Sequence, residues 1–341
     1  MKAGRIHRWG GDLLVEDVTN PEPGADEVLV EVIACGVGLT VLNYMRGDLG
    51  GDDSHLPRVP GHELVGRVVE VGAGVEAVRK GELVAAFFYL FCGRCPHCLA
   101  GAEDLCDNMG GYLGVHRDGG YAERVILPAR NAIRLPDGVD PVAATVINDA
   151  VATPVHVARL AGIRPGERVA VVAAGGGVGI HAVQVARVFG AEVAGLDVGS
   201  EKLAYLDEEL GVFAIDSSDF ERVELPPAWD GKADVVIDFL GRPESSRWAL
   251  DALARDGRLV MLTTFRDREF PISSRELVLS QLSILGSRYA TRGEFELAAR
   301  LAASGRVRAV IGRREPIERV SEIHADLRAG RLLGRGALVW H

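Results

Sequence analysis

The chain has little that would take it into a membrane or onto nucleic acid. Its longest apolar run, Val84 to Cys92, is far short of the roughly 20 residues that span a bilayer, so no membrane partner is expected. The N-terminal Met1-Lys2-Ala3-Gly4-Arg5-Ile6-His7-Arg8 carries charges with no apolar stretch behind them, so no secretory leader is expected and the cytoplasm is the expected location. No basic run carries interleaved aromatics. With 48 acidic against 38 basic residues, the net charge of -10 repels a phosphate backbone, and nucleic acid is not an expected partner. Aromatics make up only 6%, so the cluster Phe87, Phe88, Tyr89 and Phe91 is read first as strand core and second as a cleft lining. Neither an internal repeat nor a low-complexity linker interrupts the 341 residues. At roughly 150 residues per domain that length predicts two domains, each able to bury a core.

What is present is a change of pattern partway along. The first third carries short β-branched runs at Val28–Ala34, Val65–Val71, Glu82–Phe88 and Tyr121–Leu127, with Gly72, Gly74 and Gly81 at the turns, which reads as a β-rich module. From Arg168 the order becomes strand (Val169–Ala173), glycine cluster, helix (Val178–Phe189), strand (Glu192–Asp197). Further strands are expected at Ala233–Phe239 and Gly257–Thr263, with a helix over Pro243–Arg255. This is the α/β signature of βαβ units on a doubly wound parallel sheet. The segment Phe295–His341 again mixes a helix with short strands.

Four of the five cysteines, Cys92, Cys95, Cys98 and Cys106, have the spacing C-x2-C-x2-C-x7-C. Four thiolates brought together by tight turns satisfy tetrahedral zinc and leave no open position, so one structural zinc per chain is expected. Disulfides are disfavoured by the short spacing and a reducing compartment, and an iron–sulfur cluster is the remaining alternative. His97, inside this segment, is then a loop residue. The run Ala174-Gly175-Gly176-Gly177-Val178-Gly179 follows an apolar strand and opens a helix, where backbone amides can meet a pyrophosphate. Asp197 falls at the end of the next strand, where a carboxylate holds both ribose hydroxyls of NAD(H) and repels the extra phosphate of NADP(H). NAD(H) is therefore expected in preference to NADP(H). Lys202, five residues on, either helps position that ribose or is an exposed helix lysine.

Taken with these clusters, the segment Gly61-His62-Glu63-x-x-Gly66 makes the chain resemble the zinc-containing medium-chain dehydrogenase/reductase family, the alcohol dehydrogenase-like proteins, along essentially its whole length. The resemblance implies a GroES-like catalytic domain over 1–147, a Rossmann domain over 148–286 and a segment over 287–341 that completes the first, with hydride transfer in the cleft between the domains. It also implies cofactor contacts from Thr153, Leu240, Leu262 and Arg335, the last to the pyrophosphate. Relatives join the edges of their Rossmann sheets, and Leu282–Ser287 resembles that edge, so a homodimer or homotetramer is expected.

One departure bears on the chemistry. Cys35-Gly36-Val37-Gly38-Leu39-Thr40-Val41-Leu42-Asn43 is similar to the family's C-G-V-C-H-T-D-x-H, with Gly38 where a zinc-ligating cysteine is expected and Asn43 where a proton-relay histidine is expected. His62, Glu63 and Asp149 stand at ligand positions, but without a thiolate they form a harder set that holds zinc less tightly. Cys35 is expected on another face of its strand as a small buried residue. Thr40 matches the residue that takes the alcohol proton, or else caps a helix. Losing the cysteine and the relay histidine together weakens alcohol oxidation. The favoured expectation is hydride transfer to the C=C bond of an α,β-unsaturated carbonyl or thioester, as in enoyl(-CoA) reductase-like relatives. Asp149, His62 and Glu63 would then form a polar cluster, and Thr40 or Asn43 would contact the carbonyl. The close alternative is an alcohol dehydrogenase with a second zinc on His62, Glu63 and Asp149; a non-catalytic nucleotide-binding protein is the third. The substrate is a small molecule in the first two readings: an enoyl thioester, an enal or an alcohol. Arg58 and Arg288 are candidates for the phosphates of a CoA ester. His7, His55, His116, His156, His181, His324 and His341 are read as surface or packing residues.

Overall fold

The computed structural model describes residues 1–48, 52–263, 269 and 272–340; His341 lies outside them. The chain forms two compact units. One comprises Met1–Asp149 with Ala290–Gly305 and Ala309–His341, and the other Ala150–Tyr289 with Arg306–Arg308. The divisions fall two to three residues beyond the 147/148 and 286/287 boundaries read from the sequence. The short return at Arg306–Arg308 was not anticipated. The Gln184 side-chain amide causes it: it accepts from the Arg308 N–H at 2.8 Å and donates to the Arg308 carbonyl at 3.0 Å, pairing like a strand neighbour.

In the first unit a seven-stranded sheet runs in the order Ile311–Glu315, Arg335–Val339, Glu27–Val37, Glu63–Val71, Leu83–Ala86, Ala132–Arg134, and Arg124–Pro128 pairs additionally with Glu27–Val37. The C-terminal strands complete this sheet. Its core is β-branched and leucine-rich, with Val28, Val30, Val32, Leu64, Val68, Val84 and Leu127 around Tyr121, as expected for a pleated surface buried on one face. The Glu27–Val37 strand outruns the expected Val28–Ala34 because Cys35 and Gly36 are paired on both sides, to Glu63–Leu64 and to Ala337–Leu338, and Val37 on one side, to Gly336. Two-sided pairing overrides the poor strand propensity of glycine. A helix, Leu39–Arg46, follows at once and ends at Gly47 in the left-handed region (φ 87°), where glycine has no side-chain penalty.

The second unit holds six parallel strands in the order Phe213–Asp216, Glu192–Asp197, Arg168–Val172, Ala233–Asp238, Leu253–Met261, Ser283–Gly286. Counted within the unit this is 3-2-1-4-5-6, the Rossmann arrangement. The first strand stops one residue short of the expected Ala173, which leaves it with φ 61° and turns the chain into the glycine cluster. The helix Gly179–Val188 follows.

Candidate functional site

The four cysteines converge in the first unit. Cys95 ends an extended stretch and its sulfur accepts the Cys98 N–H at 3.5 Å, capping the short turn Pro96–Leu99. The sulfur of Cys92 likewise accepts from Cys95 N at 3.3 Å, and Cys106 accepts from Cys92 N at 3.3 Å. Sulfur separations of 4.0 Å (Cys92–Cys98) and 3.9 Å (Cys95–Cys106) lie close to the roughly 3.8 Å edge of a tetrahedron with Zn–S near 2.3 Å. The donor set and its size fit one zinc.

In the second unit Asp197 is buried at its strand end, with its carboxylate accepting the N–H groups of Gly175 and Val198, each at 2.7 Å. Lys202 Nζ stands 3.4 Å from the same carboxylate, so this lysine is tied to Asp197 rather than free in solvent. A β-carbon at Gly179 would strike the Ala173 carbonyl and stand 2.9 Å from its carbon, which is why the helix headed by Val178 can begin so close to the strand exit. Gly176 sits in the same turn, its N–H donating to Ala173 O at 3.2 Å. The Gly177 carbonyl pairs with Nδ1 of the buried His181 at 2.7 Å. These residues fit a dinucleotide pyrophosphate and ribose. Sequence reasoning gave no role of its own to Asp238, which is fully buried and accepts from Leu240 N (2.8 Å), Gly241 N (2.9 Å), Ser245 Oγ (2.9 Å) and Ser246 Oγ (3.1 Å). It fixes the turn that carries Leu240. Thr153 is buried in the helix Ala152–Leu160, and Leu262 follows the strand Leu253–Met261.

The polar cluster of the first unit is built on two missing β-carbons. In the sheet register Gly36 lies between Glu63 on one side and Ala337 on the other, and just past the strand end the Arg335 guanidinium lies against Gly38, whose backbone is still extended. Gly36 and Gly38 share a strand face. A β-carbon at Gly36 would stand 2.9 Å from Glu63 Cβ; one at Gly38 would stand 2.5 Å from Arg335 Nη2 and 2.6 Å from Nη1. With neither present, Glu63 and Arg335 meet across the middle strand. Arg335 Nε donates to Glu63 Oε2 at 2.9 Å, while Nη2 donates to both Glu63 Oε1 and Asp149 Oδ2, the latter at 2.9 Å. Glu63 and Arg335 are buried and Asp149 is half-buried. Burial opposes the arginine charge, but the Glu63 and Asp149 carboxylates outweigh it and raise its pKa. His62 Nε2 is buried, 3.5 Å from Glu63 Oε1 and 3.9 Å from Asp149 Oδ2, and makes no hydrogen bond. Its ring packs on Phe88 at 4.6 Å.

Arg335, expected as a pyrophosphate contact, is found here as a buried partner of two carboxylates. His62, Glu63 and Asp149 do come together, and a donor atom from each lies within 4.8 Å of the others. They do not fit the catalytic zinc of the family, because the oxygens that face His62 already take Nη2 of a permanent cation and position 38 offers no thiolate. Thr40 is not a helix cap either. Gly38 holds that position, leaving Thr40 half-buried at the second helical residue. Asn43 lies one turn on, its Oδ1 accepting from Arg46 Nη2 at 2.7 Å. Cys35 is buried on the opposite face, against Gly61 and Gly120, with its thiol pKa pushed up by burial. Arg58 borders a cavity of about 470 Å³ with Arg5, Arg117 and Arg124, but its guanidinium is already paired with Asp118 at 3.1 Å.

The family described as alcohol dehydrogenase GroES-like domain matches residues 24–137, and that described as zinc-binding dehydrogenase matches 177–304. An alcohol dehydrogenase of Geobacillus stearothermophilus is 34% identical over 339 residues, covering 98% of each chain. An acryloyl-coenzyme A reductase of Sulfurisphaera tokodaii is 29% identical over 311 residues, covering 90% of each. Among solved structures, a cobalt- and zinc-bound thermostable alcohol dehydrogenase from Pyrobaculum aerophilum superposes with a TM-score of 0.89 at 31% identity, covering 100% of this chain and 99% of that one. No helix among the described residues is long and apolar enough to cross a membrane.

Proposed function

The chain belongs to the zinc-type medium-chain dehydrogenase/reductase family and is an NAD(P)-dependent oxidoreductase, and from that premise we propose that it reduces the activated C=C bond of an α,β-unsaturated carbonyl or thioester. The observation that carries this reading is the engagement of Glu63 and Asp149, the two carboxylates beside His62, by Arg335. An alcohol dehydrogenase of this family needs a Lewis acid at that place to hold an alkoxide, whereas conjugate reduction needs a donor at the carbonyl oxygen and a proton for the α-carbon. The acryloyl-coenzyme A reductase of Sulfurisphaera tokodaii, matched over most of its length, supports the same substrate class.

The nicotinamide, when bound, supplies the hydride. Gly175 to Gly179 hold its pyrophosphate, and Asp197 with Lys202 holds the adenosine ribose, which favours NAD(H) over NADP(H). Asp238 keeps the Leu240 turn in place beside the cofactor, with Thr153 and Leu262 as further contacts. Thr40 offers its hydroxyl to the substrate carbonyl, and Asn43 orients the same helix face through Arg46. Cys92, Cys95, Cys98 and Cys106 would hold one zinc, which would keep their loop in shape without an open position for substrate. The edge strand Ser283–Gly286, next to Val278 and Leu279, which are 76% and 63% exposed, joins two copies into a homo-oligomer.

Alcohol oxidation remains as a second reading, favoured by the alcohol dehydrogenases among the relatives and by the three closely spaced donors. Initial rates decide between them. Oxidation of NADH or NADPH is followed with a panel of enals and enoyl thioesters, and reduction of NAD+ or NADP+ with primary and secondary alcohols. Turnover of the first panel at least 100-fold faster supports the proposal; preferential alcohol turnover overturns it.

A further inference from the structure

We propose that Arg335 is the resident cation of this site, standing where the family's catalytic metal would stand, and that Gly38 is the residue that admits it. The inference deepens the metal-independent part of the proposed function. The argument is one of coincident positions. A metal bound by His62, Glu63 and Asp149 would have to approach His62 Nε2, Glu63 Oε1 and Asp149 Oδ2 together, since these atoms face one another at 3.5 and 3.9 Å. Arg335 Nη2 already donates to both of those oxygens. A divalent ion placed there would share its ligands with a buried guanidinium and repel it at contact distance in a medium of low polarity.

Gly38 is the second half of the device. A cysteine there would bring the soft ligand that zinc prefers, but already its β-carbon would fall 2.5 Å from Nη2 and 2.6 Å from Nη1. A cysteine at position 38 and the guanidinium therefore cannot both keep these places, and the guanidinium would have to leave Asp149 or Glu63 to make room. The replacement also balances charge. Arg335 sets one fixed positive charge against the two carboxylates, and this charge does not depend on metal supply.

The test is zinc stoichiometry by elemental analysis after exposure to excess zinc and removal of the unbound ion. The wild-type chain is expected to hold one zinc, in the four-cysteine site, and the G38C/R335A double variant to hold two, with the second lost again when Asp149→Asn is added. A second zinc in the wild-type chain that disappears in Asp149→Asn overturns the proposal and needs no variant that replaces Arg335 or Gly38. So does a folded double variant that still holds one. If the double variant does not fold, Arg335→Gln, which leaves a neutral planar group, takes its place: a gain of zinc supports the interlock and no gain overturns it. Arg335→Lys, which keeps the cation, should stay at one. Metal content is measured without any substrate, so failure of the enal and thioester assays leaves this result standing, and the reverse.

Discussion

Arg335 faces Gly38 across the sheet so closely that a β-carbon added at Gly38 would lie 2.6 Å from Nη1. The guanidinium cannot simply swing aside, because two carboxylates hold it and Glu63 is fully buried. Gly38→Ala should therefore destabilise the chain by about 1–3 kcal/mol, as overpacking of a close-packed site does, and lower turnover more than tenfold by displacing Arg335 from Asp149. Thermal unfolding and initial rates report the two effects. Wild-type stability and rate in this variant would show that the space at position 38 is not shared in this way.

The four-cysteine loop makes a separate prediction. Cys95 and Cys106 are the buried pair among the four cysteines, so in the proposed one-zinc site Cys106→Ser should release the metal and leave three thiolates to hold the loop. Binding energy of a structural metal is folding energy, and a fall in the unfolding temperature of roughly 10 °C is expected. The same fall should follow treatment of the wild-type protein with a strong chelator. Loss of zinc with no change in unfolding temperature would remove the structural role.

Both units were legible in the sequence wherever an element's own residues decide it. The strand Glu192–Asp197, the glycine turn and the cysteine spacing depend on neighbours within one short segment. The polar cluster was half legible: His62, Glu63 and Asp149 were named from motif positions, and the structure brings them together. The pairing of Arg335 was not legible because its partners lie 272 and 186 residues away in sequence, and only the strand order puts them side by side. Gly36 drew no attention, since a glycine's role as a gap appears only when the flanking strands are known. Asp238 left a fainter signal, an aspartate at a strand end followed by Ser245 and Ser246, that pattern reading could have weighed.

Asp197 decides the cofactor in the proposed reading, and its geometry separates two of its roles. Oδ2 holds the glycine turn through Gly175 N–H, while Oδ1 takes Val198 N–H and Lys202. Asp197→Asn keeps one carbonyl oxygen for the turn and removes the charge that would oppose a 2′-phosphate beside the Lys202 ammonium. The preference for NADH over NADPH, as a ratio of kcat/KM, should fall at least tenfold, about 1.4 kcal/mol, with most of the change in the KM for NADPH. An unchanged ratio would mean that the ribose lies elsewhere.

Acid stability should turn on His324. Its imidazole is buried beside Tyr121, with Nε2 3.1 Å from the phenolic oxygen and the rings stacked at 6.0 Å. Burial, with a smaller contribution from Arg328, pushes its pKa down to about 4, against about 6.5 in an unfolded chain. Above pH 6.5 the group is neutral in both states and its full contribution is present. Between 6.5 and 4 the unfolded chain binds a proton that the folded chain does not, so stability is lost as the pH falls, by roughly 3 kcal/mol across that window. His324→Gln keeps a neutral partner for Tyr121 and removes the titration. Urea midpoints measured from pH 7.5 to 4.5 should therefore fall less steeply in the variant than in the wild type, even if the variant is the less stable of the two at pH 7.5. Parallel slopes would assign the acid sensitivity to other groups.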